Sequence, residues 1–332
     1  MSQSIDKIQK VSIIIPSYNE EISLKVLLDE LDYFLKNFQY RYEVIFVDDG
    51  STDNSFAVLQ QAAIKNPNIK IIRLRRNYGQ SAALLAAIEN STGDVIVPLD
   101  ADLQNDPNDI PKLLNLISEG YNLVSGWRKN RQDRTLDRKI PSIIANKLIS
   151  WVSGIKLHDY GCSLKAYRKD VLHGIGLYGE LHRFLPILAS WNGAKVTEVE
   201  VNHKPRIFGK SKYGLGRTYK VLLDLMVVKF LSNFSTKPIY FFGGFSFFSF
   251  MFSFAFTIWA IYLKFFKDIH FNRTPLLIFS AMFVIVGVQL LLMGLLADLI
   301  MRTYFESQGK KTYQMKESVN LECDSLFANR VL

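Results

Sequence analysis

Short, nearly continuous apolar runs recur through the first part of the chain: Val11–Ile15, Tyr42–Val47, Ile69–Leu74, Val95–Leu99 and Leu123–Ser125. They are rich in β-branched residues and read as strands covered on both faces. Between them the apolar positions take a helical period, over Glu20–Asn37, Asn54–Lys65, Gln80–Asn90 and Pro107–Ser118. Pro107 follows the polar pair Asn105-Asp106 and suits the first turn of a helix. Strands alternating with helices predict an α/β layer structure around a mostly parallel sheet, in which ligands bind beyond the carboxyl ends of the strands.

The pattern then changes. Ile239–Leu263 is a run of 25 residues without a charge and Pro275–Ala297 a run of 23, joined by the 11 residues Lys264–Thr274. Each run exceeds the roughly 20 apolar residues that cross a hydrocarbon core. With so short a link the two predict a transmembrane hairpin, spans about 239–263 and 275–298, with both flanks on one side. The opening residues lack the apolar core of a signal peptide. Lys220, Lys229, Lys237, Arg302, Lys310, Lys311 and Lys316 lie on the domain side of the hairpin, against Lys264, Lys267 and Arg273 in its loop. The positive-inside rule therefore predicts a multi-pass protein of the cytoplasmic (inner) membrane, with its N-terminal domain and both termini in the cytoplasm.

Composition sharpens this. Of 332 residues 48% are hydrophobic, which excludes a disordered chain. Two cysteines, Cys162 and Cys323, exclude a disulfide framework or a multi-cysteine zinc site. The net charge of +9 is concentrated in 204–237 and 128–139. A basic block abutting a membrane hairpin favours phosphate ligands or anionic headgroups of the lipid bilayer over nucleic acid. Arg217–Phe230 mixes apolar positions with Lys220, Asp224 and Lys229, which suits an amphipathic helix in the interface or a helix packed on its own domain. The resulting division is an α/β domain over 1–215, for which the chemistry at its strand exits implies catalysis, an interfacial helix over 216–237, the hairpin over 238–301 and a tail over 302–332 with little signal.

Candidate chemistry sits at the strand exits. Pro16-Ser17-Tyr18-Asn19-Glu20 follows the first, Asp48-Asp49-Gly50-Ser51-Thr52-Asp53 the second, and Asp100-Ala101-Asp102-Leu103-Gln104 the fourth. Asp53 reads as a turn or cap residue. Asp100 and Asp102, two positions apart, would repel unless a cation lay between them. Oxygen donors with open positions suit Mg²⁺ or Mn²⁺ completed by substrate phosphates. His158, His173, His182 and His203 have no paired ligand spacing and read as structural or surface residues.

VSIIIPSYNE, FVDDGSTDNS and VPLDADLQNDP, in this order and spacing, resemble the inverting family 2 glycosyltransferases of the GT-A (Rossmann-like) fold. HDYGCSLKAYR, NHKPRIFGKSKYG and the hairpin narrow the resemblance to the polyprenyl-phosphate glycosyltransferases over about residues 10–305. The resemblance implies a nucleotide sugar donor, UDP- or GDP-linked, and a polyprenyl phosphate acceptor. It implies that Pro16, Tyr18 and Glu20 line the nucleotide pocket, with Val47 and Asp49 against base and ribose. It gives Asp100, Ala101 and Asp102 as the DxD element, with Gln104 near the metal. It makes Arg128, and with it Arg138, a contact for diphosphate or acceptor phosphate. Arg206 and Lys212 would belong to a basic loop closing over phosphates, with simple headgroup binding as the other reading. Some relatives carry an acid directly after the glycine of Asp159-Tyr160-Gly161-Cys162. Here that place is Cys162, so Asp159 stands as either a base or a residue orienting a basic group or the acceptor. A homo-oligomer fits the resemblance. A transferase to another membrane lipid, a processive polysaccharide synthase and a non-catalytic scaffold of the same fold are the rivals. The synthase lacks its QxxRW-type motif and further spans here, and the intact Asp100/Asp102 pair argues against the scaffold.

Overall fold

The computed structural model describes residues 7–129, 149–150, 153–177, 181–205, 238–307 and 313–321. The chain divides into two compact units, Met1–Leu225 with Lys311–Leu332, and Met226–Lys310.

The first unit is built on an eight-stranded sheet. In chain order its elements are β1 (Lys10–Ser17), α1 (Glu21–Leu35), β2 (Arg41–Asp48), α2 (Ser55–Lys65), β3 (Ile69–Leu74), α3 (Gln80–Glu89), β4 (Val95–Pro98), α4 (Ile110–Ser118), β5 (Leu123–Trp127), β6 (Lys165–Arg168), α5 (Leu185–Trp191) and β7 (Val196–Glu200). A last strand, β8 (Met315–Val319), comes from beyond the second unit. The strand order is β7-β5-β6-β4-β1-β2-β3-β8. The centre, β4-β1-β2-β3, is parallel, as the continuous apolar runs require. Val11, Ile13, Ile14 and Ile15 of β1 are all buried, so that strand is covered on both faces. Helix α1 turns Leu24, Leu27, Leu31 and Phe34 into the core, a stripe at helical spacing. Pro107–Asp109 forms a 3-10 turn rather than the start of α4, capped by the Asp106 side chain accepting from the Asn108 N–H.

The strand order reverses between β1 and β4, so their carboxyl ends open the crevice where sheets of this kind take ligands. The flanks depart from the parallel expectation: β6 pairs antiparallel with both β4 and β5, and β8 antiparallel with β3. β8 lies in what reads by sequence as a tail with little signal. Its run MKESV carries one apolar residue at each end, too few for periodicity to register. It is held by the sheet instead: Tyr313 Oη donates to Glu89 Oε2 at 2.6 Å, and Asn320 Nδ2 donates to the carbonyls of Ala63 (3.1 Å) and Ile69 (2.9 Å).

Charges also lie inside this unit, Glu43 among them. Glu43 on β2 is 1% exposed, facing Lys70 Nζ at 2.8 Å and Lys10 Nζ at 3.0 Å. It also accepts from Ser12 Oγ at 2.5 Å and the Thr92 N–H at 2.6 Å. Burial alone would raise its pKa, but the Lys70, Ser12, Thr92 and Lys10 donors prevail and hold it at about 2, against an ordinary 4.5. A carboxylate with a depressed folded-state pKa stabilises the fold above its unfolded value, and that stability fades as pH falls toward the folded one. The fold is therefore expected to lose roughly 3 kcal/mol between pH 5 and pH 2 through this group. In Glu43→Gln that component of the acid sensitivity should vanish and neutral stability should fall, as read by thermal unfolding of the full chain across pH.

The second unit contains two helices, α6 (Pro238–Phe266) and α7 (Leu276–Ser307). Within them Phe241–Phe266 and Leu276–Ala297 are long and apolar enough to cross a bilayer. Their polarity is inverted relative to a water-soluble helix pair. Phe247, Phe254, Ile278 and Leu292 face outward, each more than half exposed, while Ser246, Ser249, Ser253 and Ser280 are buried between the helices. Ser246 Oγ and Ser249 Oγ donate to the carbonyls of Gly287 and Phe283, each at 2.7 Å, and Ser253 Oγ meets Ser280 Oγ at 2.9 Å. Small residues permit this approach: a Cβ at Gly287 would stand 2.9 Å from the Phe250 ring. The interfacial helix expected over 216–237 lies outside the described residues.

Candidate active site

The loops leaving β1 and β2 are locked together. Asn19 adopts a left-handed backbone (φ 53°), and its N–H donates to Ser51 Oγ at 2.9 Å while its Oδ1 accepts the Thr52 N–H at 2.8 Å. The Glu20 N–H donates to Ser55 Oγ at 3.0 Å. Asp53 accepts from Ser55 N–H at 3.0 Å and Glu21 N–H at 3.2 Å, so it caps the starts of both following helices. Glu20 Oε2 accepts from Ser23 Oγ at 2.9 Å. Pro16 and Tyr18 are half-buried along this edge, and Val47 is fully buried behind it.

Asp49 points at a third loop. Its two carboxylate oxygens accept the backbone N–H groups of Tyr78 (2.7 Å) and Gly79 (2.9 Å). Burial raises its pKa, with the neighbouring Asp48 charge adding to it, against those two donors. Gly50 (φ +70°) lies directly under this loop: a Cβ there would come within 2.5 Å of the Arg76 backbone. The loop from 75 to 79 thus lies on the Asp49-Gly50 turn and leads into α3, whose Gln80 Nε2 donates to Asp100 Oδ1 at 3.0 Å.

Asp100 and Asp102 follow β4, flanking the buried Ala101. Asp102 Oδ1 accepts the Gln104 N–H at 3.2 Å, and Leu103 between them takes φ 65°. The Asp100 pKa is raised, first by burial and then by the Asp102 charge. Ser163, Arg128 and Lys165 act in the other direction. The chain has therefore placed two acids where their charges oppose each other at the switch point of the sheet. Two carboxylates so placed could serve a hard cation, leaving coordination positions for phosphate oxygens and water. Among the described residues no group of three or more His, Cys, Asp or Glu could hold an ion.

Arg128, just past β5, and Asp159 form a two-pronged ion pair, Nε to Oδ2 at 2.7 Å and Nη2 to Oδ1 at 3.0 Å. Both are largely buried, with side-chain exposures of 12% and 5%. Asp159 Oδ1 also accepts the Gly161 N–H at 3.0 Å. The loop below them is pinned by Lys165, which is buried on β6 and donates to the carbonyls of Tyr160, at 3.3 Å, and Cys162. Burial lowers the Lys165 pKa. The Cys162 thiol is buried in the core and its pKa is raised by that burial, so it is a packing group. Ser163 accepts from Asn105 Nδ2 at 2.7 Å. Gln80, Ser163 and Lys165 are absent from the sequence-derived candidates. The one signal was Lys165, a lone charge inside the strand-like run LKAY. His158 stacks on Trp127 with centroids 4.4 Å apart and its Nδ1 meets the Glu198 carboxylate; His182 Nδ1 lies 2.8 Å from Ser81 Oγ. Arg138, Arg206 and Lys212 lie outside the described residues.

A parallel sheet whose order reverses beside paired acids is the arrangement of the GT-A glycosyltransferases. The fold is shared with glucosyl-3-phosphoglycerate synthase from Mycobacterium tuberculosis, solved with Mn²⁺, UDP and glucosyl-3-phosphoglycerate. That likeness has a TM-score of 0.53 at 15% identity and covers 68% of this chain and 80% of that one. Residues 12–176 match the model of Glycosyl transferase family 2. The dodecaprenyl-phosphate galacturonate synthase of Rhizobium johnstonii is 36% identical over 312 residues, 93% of this chain and 92% of that protein. The undecaprenyl-phosphate 4-deoxy-4-formamido-L-arabinose transferase of Yersinia pestis is 37% identical over 320 residues, 96% of each. The chain belongs to glycosyl transferase family 2, and it is a glycosyltransferase.

Proposed function

We propose that this enzyme moves one sugar from a nucleotide sugar to the phosphate of a polyprenyl lipid, with inversion at the anomeric carbon, at the cytoplasmic face of the membrane that its two apolar helices cross. The observation that carries the reading is the Asp100/Asp102 pair at the switch point with the Arg128–Asp159 pair in the same unit. The relatives named for dodecaprenyl and undecaprenyl phosphate support the acceptor class.

In this reading the locked loops after β1 and β2 take the nucleoside, and Asp100 and Asp102, with Gln104 beside them, would hold Mg²⁺ or Mn²⁺. The bound ion supplies charge neutralisation for the leaving diphosphate. An acceptor phosphate oxygen forms the new bond to the anomeric carbon as the bond from that carbon to the diphosphate breaks, and the nucleoside diphosphate departs with the electron pair. Arg128, its planar fork held in orientation by Asp159, offers donors to phosphate oxygens and stabilises the charge they carry. A phosphate monoester has a second pKa near 6 and is mostly dianionic at neutral pH, so the acceptor is positioned rather than deprotonated. Asp159, with both oxygens engaged, acts by orienting Arg128 and not as a base.

The test is a panel of UDP- and GDP-linked sugars, uronic acids and formamido-pentoses included, incubated with the purified full chain, undecaprenyl phosphate and Mn²⁺ or Mg²⁺. The expected product extracts into organic solvent, is released by mild acid and does not form in EDTA. Lipid-linked label that resists mild acid would identify a different membrane acceptor, and hydrolysis without lipid labelling would defeat the transfer reading.

A further inference from the structure

We propose that β8 is a positioning element of the donor site, and that Glu317 on it acts through Arg73 and Asp48 to hold the nucleotide-binding turn. This rests on the reading of the loops after β1 and β2 as the nucleotide pocket.

Arg73, on β3, stands between the two acids. Its Nη1 donates to Glu317 Oε1 at 3.0 Å, its Nε lies 3.3 Å from Asp48 Oδ2, and its guanidinium covers the Phe56 ring at 4.3 Å. Asp48 is fully buried. Its Oδ1 accepts the Ser51 N–H at 3.1 Å, while Oδ2 has no hydrogen bond among the described residues, so the Arg73 charge is what compensates it. Ser51 in turn accepts from the Asn19 N–H. A continuous run of contacts thus joins β8 to both loops: Glu317, Arg73, Asp48, Ser51, Asn19.

A second attachment reaches the third loop. The Arg75 N–H donates to the Gln314 carbonyl at 3.1 Å, just where β3 gives way to the loop that lies on Gly50 and donates to Asp49. Without Glu317 the Nη1 end of the Arg73 guanidinium loses its acceptor, and only Asp48 and the Phe56 ring restrain it. With Glu317 in place the fork is set, and Asp48 can hold the turn in a single geometry. Glu317 is half-exposed, so its effect is graded rather than absolute.

The experiment measures UDP and GDP affinity of the full chain in detergent by calorimetry, with donor KM and kcat, for wild type, Glu317→Gln, Glu317→Lys and Lys316→Gln. Glu317→Gln keeps an acceptor without charge and should weaken binding of the preferred nucleotide roughly two- to fivefold. Glu317→Lys sets a like charge against Arg73 and should weaken it roughly tenfold, with the loss in KM and kcat within about twofold. Lys316→Gln, one residue away on the same strand, should match wild type. Wild-type affinity in both Glu317 variants would overturn the proposal and leave the donor pocket standing. An equal loss in Lys316→Gln would also overturn it, since β8 would then act only as general support. Wild type binding neither UDP nor GDP would remove the pocket reading, and the proposal with it.

Discussion

Asp102→Ala is expected to lower kcat by about two to three orders of magnitude, the scale of losing a main electrostatic contact to a leaving group. Repulsion is already present in the folded chain. The Asp100 carboxyl is pushed up by burial and by the Asp102 charge, which means the fold holds the two acids together at a cost. In the proposed reading a divalent cation and a diphosphate would recover that cost on entering. Removing Asp102 relieves the repulsion and halves the donor set at the same time. The variant should therefore be as stable as wild type without metal, yet gain little thermal stability from Mn²⁺, and it should lose transfer. That combination distinguishes a ligand from a structural acid, whose removal lowers the melting temperature. Turnover near the wild-type level would refute the metal-site reading.

Loss of one partner from the Arg128–Asp159 pair is the second large effect. Asp159→Asn leaves a largely buried guanidinium without its counter-charge, and stability should drop by roughly 3 kcal/mol or more. Transfer should fall by about two orders of magnitude as Arg128 loses its fixed plane. Arg128→Gln should fail in both respects as well. The double variant separates the two roles. With both charges gone the burial penalty disappears and much of the stability should return, while transfer stays low because no cation faces the phosphates. Thermal unfolding and single-turnover transfer across the four proteins form a double-mutant cycle. Recovery of transfer together with stability would make the pair structural and move the phosphate contact elsewhere.

The legible parts of the protein were those where residue type alone dictates environment. β1, β2 and β3 are covered on both faces, so their runs are apolar but for Ser12, Glu43, Lys70 and Arg73, and the expected ranges differ from the observed ones by a residue or two at most. The two apolar runs likewise correspond to Phe241–Phe266 and Leu276–Ala297. β6, β7 and β8 were not legible. Each is four or five residues long. β6 and β8 join the sheet antiparallel, while β7 is an edge strand parallel to β5. Short strands of this kind carry one or two apolar residues, and their pairing depends on what lies beside them.

The candidate site divides in the same way. Paired acids two residues apart at a strand exit carry their own signature, because unneutralised carboxylates are costly once burial takes them from water. Gln80, Lys165 and Ser163 carry none, being ordinary helix, strand and loop residues until the fold brings them to Asp100, to the Asp159–Ser163 loop and to Asn105. Asp159 stood in the sequence with two open roles, and its contact with Arg128, 31 positions away, which favours the orienting one, leaves no mark in the local run.

The amino-acid sequence by itself thus determined the α/β alternation, the two apolar spans and the acids at the strand exits, since each is set by burial or charge that a local run of residues expresses. The tertiary structure alone decided the antiparallel flanks, the return of β8 to the sheet and the partner of every buried charge. Those depend on which distant residues become neighbours, and pairing across a fold leaves no periodicity in the chain that makes it.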